Sequence, residues 1–229
     1  MIDKKLVVAI TLARGGSKSI PNKNLAVVNG KSLLERAVEC GKAALVDEHY
    51  VSSDSPEILS EANRLGARTI LRPAELAQDD TTSAAAIAHA LNVVSLKIDY
   101  VVEIMCTSPF KTALDVDAVV KKLHDTQADS VVGVVRIYDH HPARLKYIEN
   151  DVLVNFFPEK KESRRQDLEP AAYVRNGSLY AFTHDAFLKY NSRYGGIVRP
   201  YIMTETQSIN IDEPMDLTLA QIVGEKYGL

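Results

Sequence analysis

Through the first 135 residues, short apolar runs rich in β-branched residues alternate with stretches of helical periodicity. Leu6 to Leu12 precedes a helical pattern over Ser32 to Leu45, His49 to Ser53 precedes Pro56 to Leu65, and Arg68 to Leu71 precedes the Ala-rich Ser83 to Leu96. Tyr100 to Cys106, a helical Leu114 to His124 and the run Ser130 to Arg136 continue the series. Strands without polar alternation are buried on both faces, and a parallel sheet joined by helical crossovers buries them. The class is therefore α/β, a mostly parallel sheet with helices on both faces.

From Ile137 to Arg175 the pattern changes. A His140-His141-Pro142 turn, an Asn150-Asp151 hairpin signal between two short β-like runs and a charged stretch from Pro158 to Glu169 interrupt the alternation. The strand Ser178 to Thr183, a helix from Asp185, a strand near Tyr201 to Thr204 and an amphipathic helix over Glu213 to Lys226 then complete the sheet. With no repeat or long linker in 229 residues, the reading is a single domain over 1–229 with a protruding β-rich arm over 137–175.

Composition narrows the partners. Against 30 Asp and Glu stand 27 Lys and Arg, a net charge of −3, which gives no support to a nucleic-acid or membrane-surface binder. No apolar run approaches the roughly 20 residues of a membrane span. The start of the chain, MIDKKLVVAI, lacks the features of a signal peptide, so a cytoplasmic location is expected. Cys40 and Cys106 have no metal-binding spacing and read as reduced core thiols.

The segment after the first strand carries the chemistry. Ala13-Arg14-Gly15-Gly16-Ser17-Lys18-Ser19-Ile20-Pro21-Asn22-Lys23-Asn24 lies beyond the carboxyl end of a strand, where open α/β sheets bind ligands. Paired glycines allow close backbone approach to an anion, and Arg14, Lys18 and Lys23 supply the charge a triphosphate needs. Neither a Walker loop nor G-x-G-x-x-G is present, so a P-loop kinase or dinucleotide dehydrogenase is not indicated.

This loop resembles the signature A-R-x-x-S-K-x-[IL]-P-x-K-N of the acylneuraminate, or nonulosonic acid, cytidylyltransferases. The resemblance continues in order through Val51-Ser52-Ser53-Asp54, Leu71-Arg72-Pro73, Thr107-Ser108-Pro109, His140-His141-Pro142, Arg164-Arg165-Gln166-Asp167-Leu168, Asn176-Gly177-Ser178 and Ile209-Asn210-Ile211-Asp212. It implies a three-layer α/β/α sandwich of the nucleotide-diphospho-sugar transferase type, with the arm serving dimerisation. It also implies a Mg²⁺-dependent transfer of CMP from CTP to the anomeric 2-hydroxyl of a nonulosonic acid, releasing pyrophosphate, by a homodimer. The rival readings are a cytidylyltransferase for another acid, an eight-carbon keto-deoxy sugar or a phosphonate, and a catalytically silent nucleotide-binding relative.

By the same resemblance Arg14 and Lys23 hold the triphosphate and, with Asp212, carry catalysis. Ala13, Gly15, Lys18 and Asn24 complete the nucleotide loop, and Ser83 lies near the cytidine unless it only caps its helix. Asp212 matches the second acid of a D-x-D metal motif whose first position is Asn210. Mg²⁺ takes an amide oxygen as well as a carboxylate, so both are expected ligands, although Asp212 could instead be a helix cap. On the sugar side stand Met105, where many relatives carry glutamine, with Arg144, Arg165 and Tyr180. Arg165 suits a carboxylate, Arg144 would reach the neighbouring subunit's site, Arg175 is displaced by one residue from the usual arginine, and His140 and His141 read as arm structure.

Overall fold

The computed structural model describes residues 2–158, 164 and 167–229. The first strand, β1 (Val7–Leu12), is followed by a small hairpin of β2 (Val27–Val28) and β3 (Lys31–Ser32) and then by α1 (Leu33–Cys40). Next come β4 (Glu48–Ser53), α2 (Pro56–Arg64), β5 (Arg68–Leu71), α3 (Ser83–Val93), β6 (Tyr100–Ile104), α4 (Ala113–Thr126) and β7 (Ser130–Ile137). The arm hairpin pairs β8 (Lys146–Glu149) with β9 (Val152–Asn155), and β10 (Ala172–Thr183), α5 (His184–Tyr190), β11 (Val198–Ile202) and α6 (Pro214–Tyr227) close the chain.

Local chemistry sets the helix starts. The side chains of Ser32, Ser55, Thr82, Thr112 and Thr183 each accept a backbone N–H in the first turn of the helix they precede. Such a cap is worth about 1 kcal/mol. Helix α1 stops at Cys40, earlier than the apolar pattern through Leu45 predicts. Gly41 follows, where a Cβ would lie 1.9 Å from His49 Nδ1, and Ala43 and Leu45 pack into the core from a turn instead.

Among the described residues seven strands form one sheet in the order β11-β7-β10-β6-β1-β4-β5. Every neighbouring pair is parallel except the two made by β10, which runs antiparallel to β6 and β7. Alternate residues of β1 feed two cores: Val7 and Ala9 pack with α1, α2 and α4, and Val8 and Ile10 with α3 and α5. This is the three-layer sandwich the sequence implies. Each fully buried Leu, Ile or Phe contributes about 1.5–3 kcal/mol. Cys40 and Cys106 are free and buried.

Two strand boundaries differ from expectation. β10 begins at Ala172, so residues 172–175 belong to the main sheet rather than to the arm, and Ile137 ends β7. A bulge between Arg175 and Tyr180, with Gly177 at φ +68°, disguised the long strand as a short one. β11 lies a few residues earlier than expected because Pro200 sits on the sheet edge, where a missing N–H is tolerated. His141 behaves as arm structure: Nδ1 accepts from Ala143 N at 3.2 Å and Nε2 donates to the Pro170 carbonyl at 2.9 Å.

One buried group sets a pH limit. His49 Nε2 pairs with Thr11 Oγ1 at 2.9 Å, and burial pushes its pKa down to about 4. The unfolded chain therefore binds the proton first, and stability falls as pH drops from about 6.5 towards 4. We expect His49 to account for about 2 kcal/mol of lost stability between pH 7 and pH 5. Urea midpoints of the parent and His49→Gln at the two pH values test this, because equal losses in both proteins would exclude His49 as the cause.

Candidate active site

The carboxyl ends of β1, β5 and β6 open onto a cavity of about 550 Å³. Its walls come from the loop after β1 (Arg14, Lys18, Lys23), the connection from β5 to α3 (Arg72, Asp79, Ser83), the end of β6 (Glu103, Met105, Thr107), and Asp212. Three of these four cations pair with carboxylates across it. Arg14 Nη1 lies 2.7 Å from Asp79 Oδ1, and Lys18 Nζ lies 2.5 Å from Asp79 Oδ2. These hydrogen bonds, from Lys18 first and Arg14 second, hold the Asp79 carboxyl below its usual range. Lys23 Nζ reaches Asp212 Oδ1 at 3.1 Å, and its side chain is only 15% exposed.

The loop is held from beneath by its own polar residues. Asn24 is buried and donates to the Arg14 carbonyl at 2.9 Å, so its amide positions the arginine. Gly15 N donates to Asp54 Oδ1 at 2.9 Å, and a Cβ at Gly15 would lie 2.8 Å from Ser55 Cβ. The glycine thus permits close packing against the end of β4. Ala13 is fully buried and bonds Ser52 through its N–H. Neither Ala13 nor Gly15 lines the cavity, so the loop meets it through side chains.

Asp212 is fixed by its neighbours. Ile211 is fully buried and its N–H bonds the Thr107 carbonyl at 2.8 Å, which ties this segment to the end of β6. Asn210 Nδ2 donates to Asp212 Oδ2, leaving Asn210 Oδ1 buried and without a hydrogen-bond partner. The β10 bulge lies below: Asn176 Nδ2 donates to Ser208 Oγ at 2.9 Å, and a Cβ on Gly177 would lie 3.9 Å from Asn210 Oδ1. The cap of α6 is Glu213, in a reciprocal pair with Asp216, so the Asp212 carboxylate is available to the cavity. Likewise Thr82 caps α3, which frees Ser83 of that task and leaves it on the cavity wall.

The sugar-side expectations divide. Met105 lines the cavity. Tyr180 does not: it is core packing, buried beneath Arg193, whose guanidinium lies 4.1 Å from its ring. Arg144 is exposed on the arm and does not line this cavity, and Arg175 stacks on Tyr194 at 4.3 Å. Arg165 lies outside the described residues.

Arg72 and Glu103, both on the wall, had no role assigned from the sequence. Arg72 is 5% exposed with Nε and Nη2 buried and unpartnered, and burial lowers its pKa. Glu103 is fully buried, burial pushing its carboxyl up while the paired Arg193 opposes the shift. The signal for Glu103 was a single acid inside the apolar run Tyr100 to Cys106.

The family profile described as cytidylyltransferase matches residues 8–215. The chain is 29% identical over 226 residues to the N-acylneuraminate cytidylyltransferase of Escherichia coli O18:K1:H7, covering 96% of this chain but 52% of that protein, about half its length. It is 28% identical over 217 residues to the pseudaminic acid cytidylyltransferase of Campylobacter jejuni serotype O:23/36, covering 92% and 93%. In fold it matches the CTP complex of CMP:2-keto-3-deoxy-manno-octonic acid synthetase with TM-score 0.73 at 16% identity, over 97% of this chain and all of that one. With a profile match over nearly the whole chain, the protein belongs to the cytidylyltransferase family.

Proposed function

We propose that the chain transfers CMP from CTP to the anomeric 2-hydroxyl of a nonulosonic acid of the sialic, legionaminic or pseudaminic type, in the cytoplasm and with Mg²⁺. The observation that carries this reading is the set of three cations in one cavity, each answered by a carboxylate on its rim. A triphosphate replaces Asp79 as the partner of Arg14 and Lys18, and Lys23 bridges from the phosphates to Asp212. Attack by the 2-hydroxyl forms a bond to the α-phosphorus, the α–β anhydride breaks, pyrophosphate leaves with its electrons, and the hydroxyl proton passes to solvent. Charge neutralisation and alignment provide most of the acceleration in such a transfer.

The residues fit a divalent cation. Asp212 supplies a carboxylate on the cavity wall, of the kind Mg²⁺ combines with phosphates and water, while Asn210 stands behind it with Nδ2 towards Asp212 and Oδ1 buried on the Gly177 side, outside the cavity lining. Bound there, the ion would add positive charge at the reacting phosphoryl group. Ser83 contacts the nucleoside, and Arg165 pairs with the acceptor's carboxylate. Pyrophosphate release from CTP with a panel of nonulosonic acids, an eight-carbon keto-deoxy acid and a phosphonate tests the reading. Turnover confined to the last two would replace the substrate class, and no turnover with any acid would favour a silent nucleotide binder.

The arm supports a shared site. Ile148, Val152, Leu153, Phe156 and Phe157 are exposed on or beside its hairpin, an apolar edge that a symmetric copy would cover. We therefore propose a homodimer in which Arg144 of one protomer meets the acceptor of the other. Arg144→Ala should raise the acceptor KM while the CTP KM stays unchanged. Mixed with Lys23→Ala after subunit exchange, it should regain activity through one intact hybrid site. Activity equal to the sum of the separate variants would rule the shared site out.

A further inference from the structure

Glu103 is a buried charge for which the roles above have no use. Its Oε2 takes a hydrogen bond from Arg193 Nη1, whereas Oε1 is buried with no partner. An ion pair kept only for core stability would engage both oxygens, since the arginine fork matches a carboxylate bidentately. Here Arg193 is held otherwise, over the Tyr180 ring at 4.1 Å and with Nη1 3.9 Å from Met105 Sδ. Tyr180 in turn packs against Tyr194 at 6.2 Å between ring centres, and Arg175 covers Tyr194. This ladder leaves the arginine little freedom to turn its second nitrogen to Oε1. Glu103 belongs to the cavity wall, as do Leu12, Ala86 and Met105, and its unused acceptor is buried there.

Sheet order assigns this wall to one substrate. β6 and β10 lie on one side of β1, and β4 and β5 on the other. The Arg72 and Asp79 to Ser83 wall extends from the β5 side, while Glu103, Met105 and Thr107 belong to β6, with Asp212 tied to Thr107 through Ile211. A nucleotide whose phosphates contact Arg14, Lys18 and Lys23 leaves the β6 side for the acceptor. The acceptor then approaches the α-phosphorus with its substituents against Met105 and Glu103.

Resting on the function proposed above, we infer that Glu103 Oε1 accepts a hydrogen bond from an amide N–H on the acceptor. The Glu103–Arg193 pair is thereby a specificity element for acylamino-substituted nonulosonic acids. An acylamino group presents both parts the wall can use: an N–H for the carboxylate and an acyl chain for Met105 and Leu12. A hydroxyl in its place offers no apolar chain. That hydroxyl can donate to the same oxygen, but unlike an amide N–H it can also accept, so only the acylamino group depends on an acceptor-only partner.

Glu103→Gln tests this with nearly unchanged volume. Arg193 would take the amide oxygen, turning the NH₂ donor towards the substrate N–H, donor against donor. Pyrophosphate release is measured with N-acetylneuraminate, a 5,7-diacylamino nonulosonic acid and the hydroxyl analogue of N-acetylneuraminate, and CTP is compared with UTP. Expected is a loss of roughly 10- to 100-fold in kcat/KM for acylamino acids, the scale of one hydrogen bond to a charged group. The preference over the hydroxyl analogue should collapse and the CTP KM should stay within about twofold of the parent's. Should Glu103→Gln fail to fold, Arg193→Lys, which keeps the charge and loses the fork, is expected to weaken the same preference with an unchanged CTP KM. Equal losses for acylamino and hydroxyl acids, or a changed CTP-to-UTP ratio with acceptor preference intact, would overturn the inference alone. No turnover of any nonulosonic acid by the parent would overturn the function on which it rests.

Discussion

Asp212→Ala is expected to lose Mg²⁺-dependent turnover, with activity falling by at least roughly 100-fold, the scale of removing one group that stabilises transition-state charge. Asp212 supplies the one carboxylate of the Asn210–Asp212 pair, and the neighbouring amide brings an oxygen without charge. The fold should survive, because the Asp212 side chain is 63% exposed while the segment is anchored by fully buried Ile211 and its bond to Thr107. Since Asp212 also holds Lys23, Asp212→Asn separates the two roles: it keeps an acceptor for the lysine and removes the anion. Asn210→Asp should retain activity and shift metal preference by adding charge. Pyrophosphate release titrated against Mg²⁺ and Mn²⁺ is the measurement. Ordinary Mg²⁺ dependence in Asp212→Ala would remove the metal assignment.

How far the sequence carried the reader depended on whether a signal was local. The α/β class was legible because strands buried on both faces cannot hide their composition, and β1, β4 and β6 fall within a residue or two of their apolar runs. The cationic loop was legible for the same reason, three cations lying within eleven residues of one strand end. What escaped was non-local. β10 lost its first half to a bulge, and its antiparallel direction depends on its partners. Tyr180 was expected at the sugar because its motif adjoins the site, yet the pleat turns it into the core beneath Arg193. Arg193 lies 90 residues from Glu103, so neither residue alone suggested a paired wall. Ala13 and Gly15 were legible as loop residues, but their buried backbone work became visible only against β4.

Lys23→Ala and Arg14→Ala are expected to lose activity by roughly 30- to 150-fold each while the chain stays folded, the cost of one charge-assisted contact of about 2 to 3 kcal/mol. Both side chains contact only the opposite rim of the cavity, Lys23 at Asp212 and Arg14 at Asp79, among the ion pairs described. Their removal therefore leaves both hydrophobic cores untouched. The two should nevertheless differ. Arg14 shares Asp79 with Lys18, so the remaining lysine partly compensates, whereas Lys23 reaches Asp212 from a side chain only 15% exposed. A charge in such partly dry surroundings acts through a lower effective dielectric and is screened less by salt. Lys23→Ala should then be the more damaging variant, and its deficit should persist at high ionic strength while that of Arg14→Ala narrows. Steady-state kinetics at subsaturating CTP in low and high salt measures both effects, with circular dichroism and thermal melting confirming the fold. Near-parental turnover by both folded variants would remove the triphosphate from this loop and with it the orientation of both substrates in the cavity.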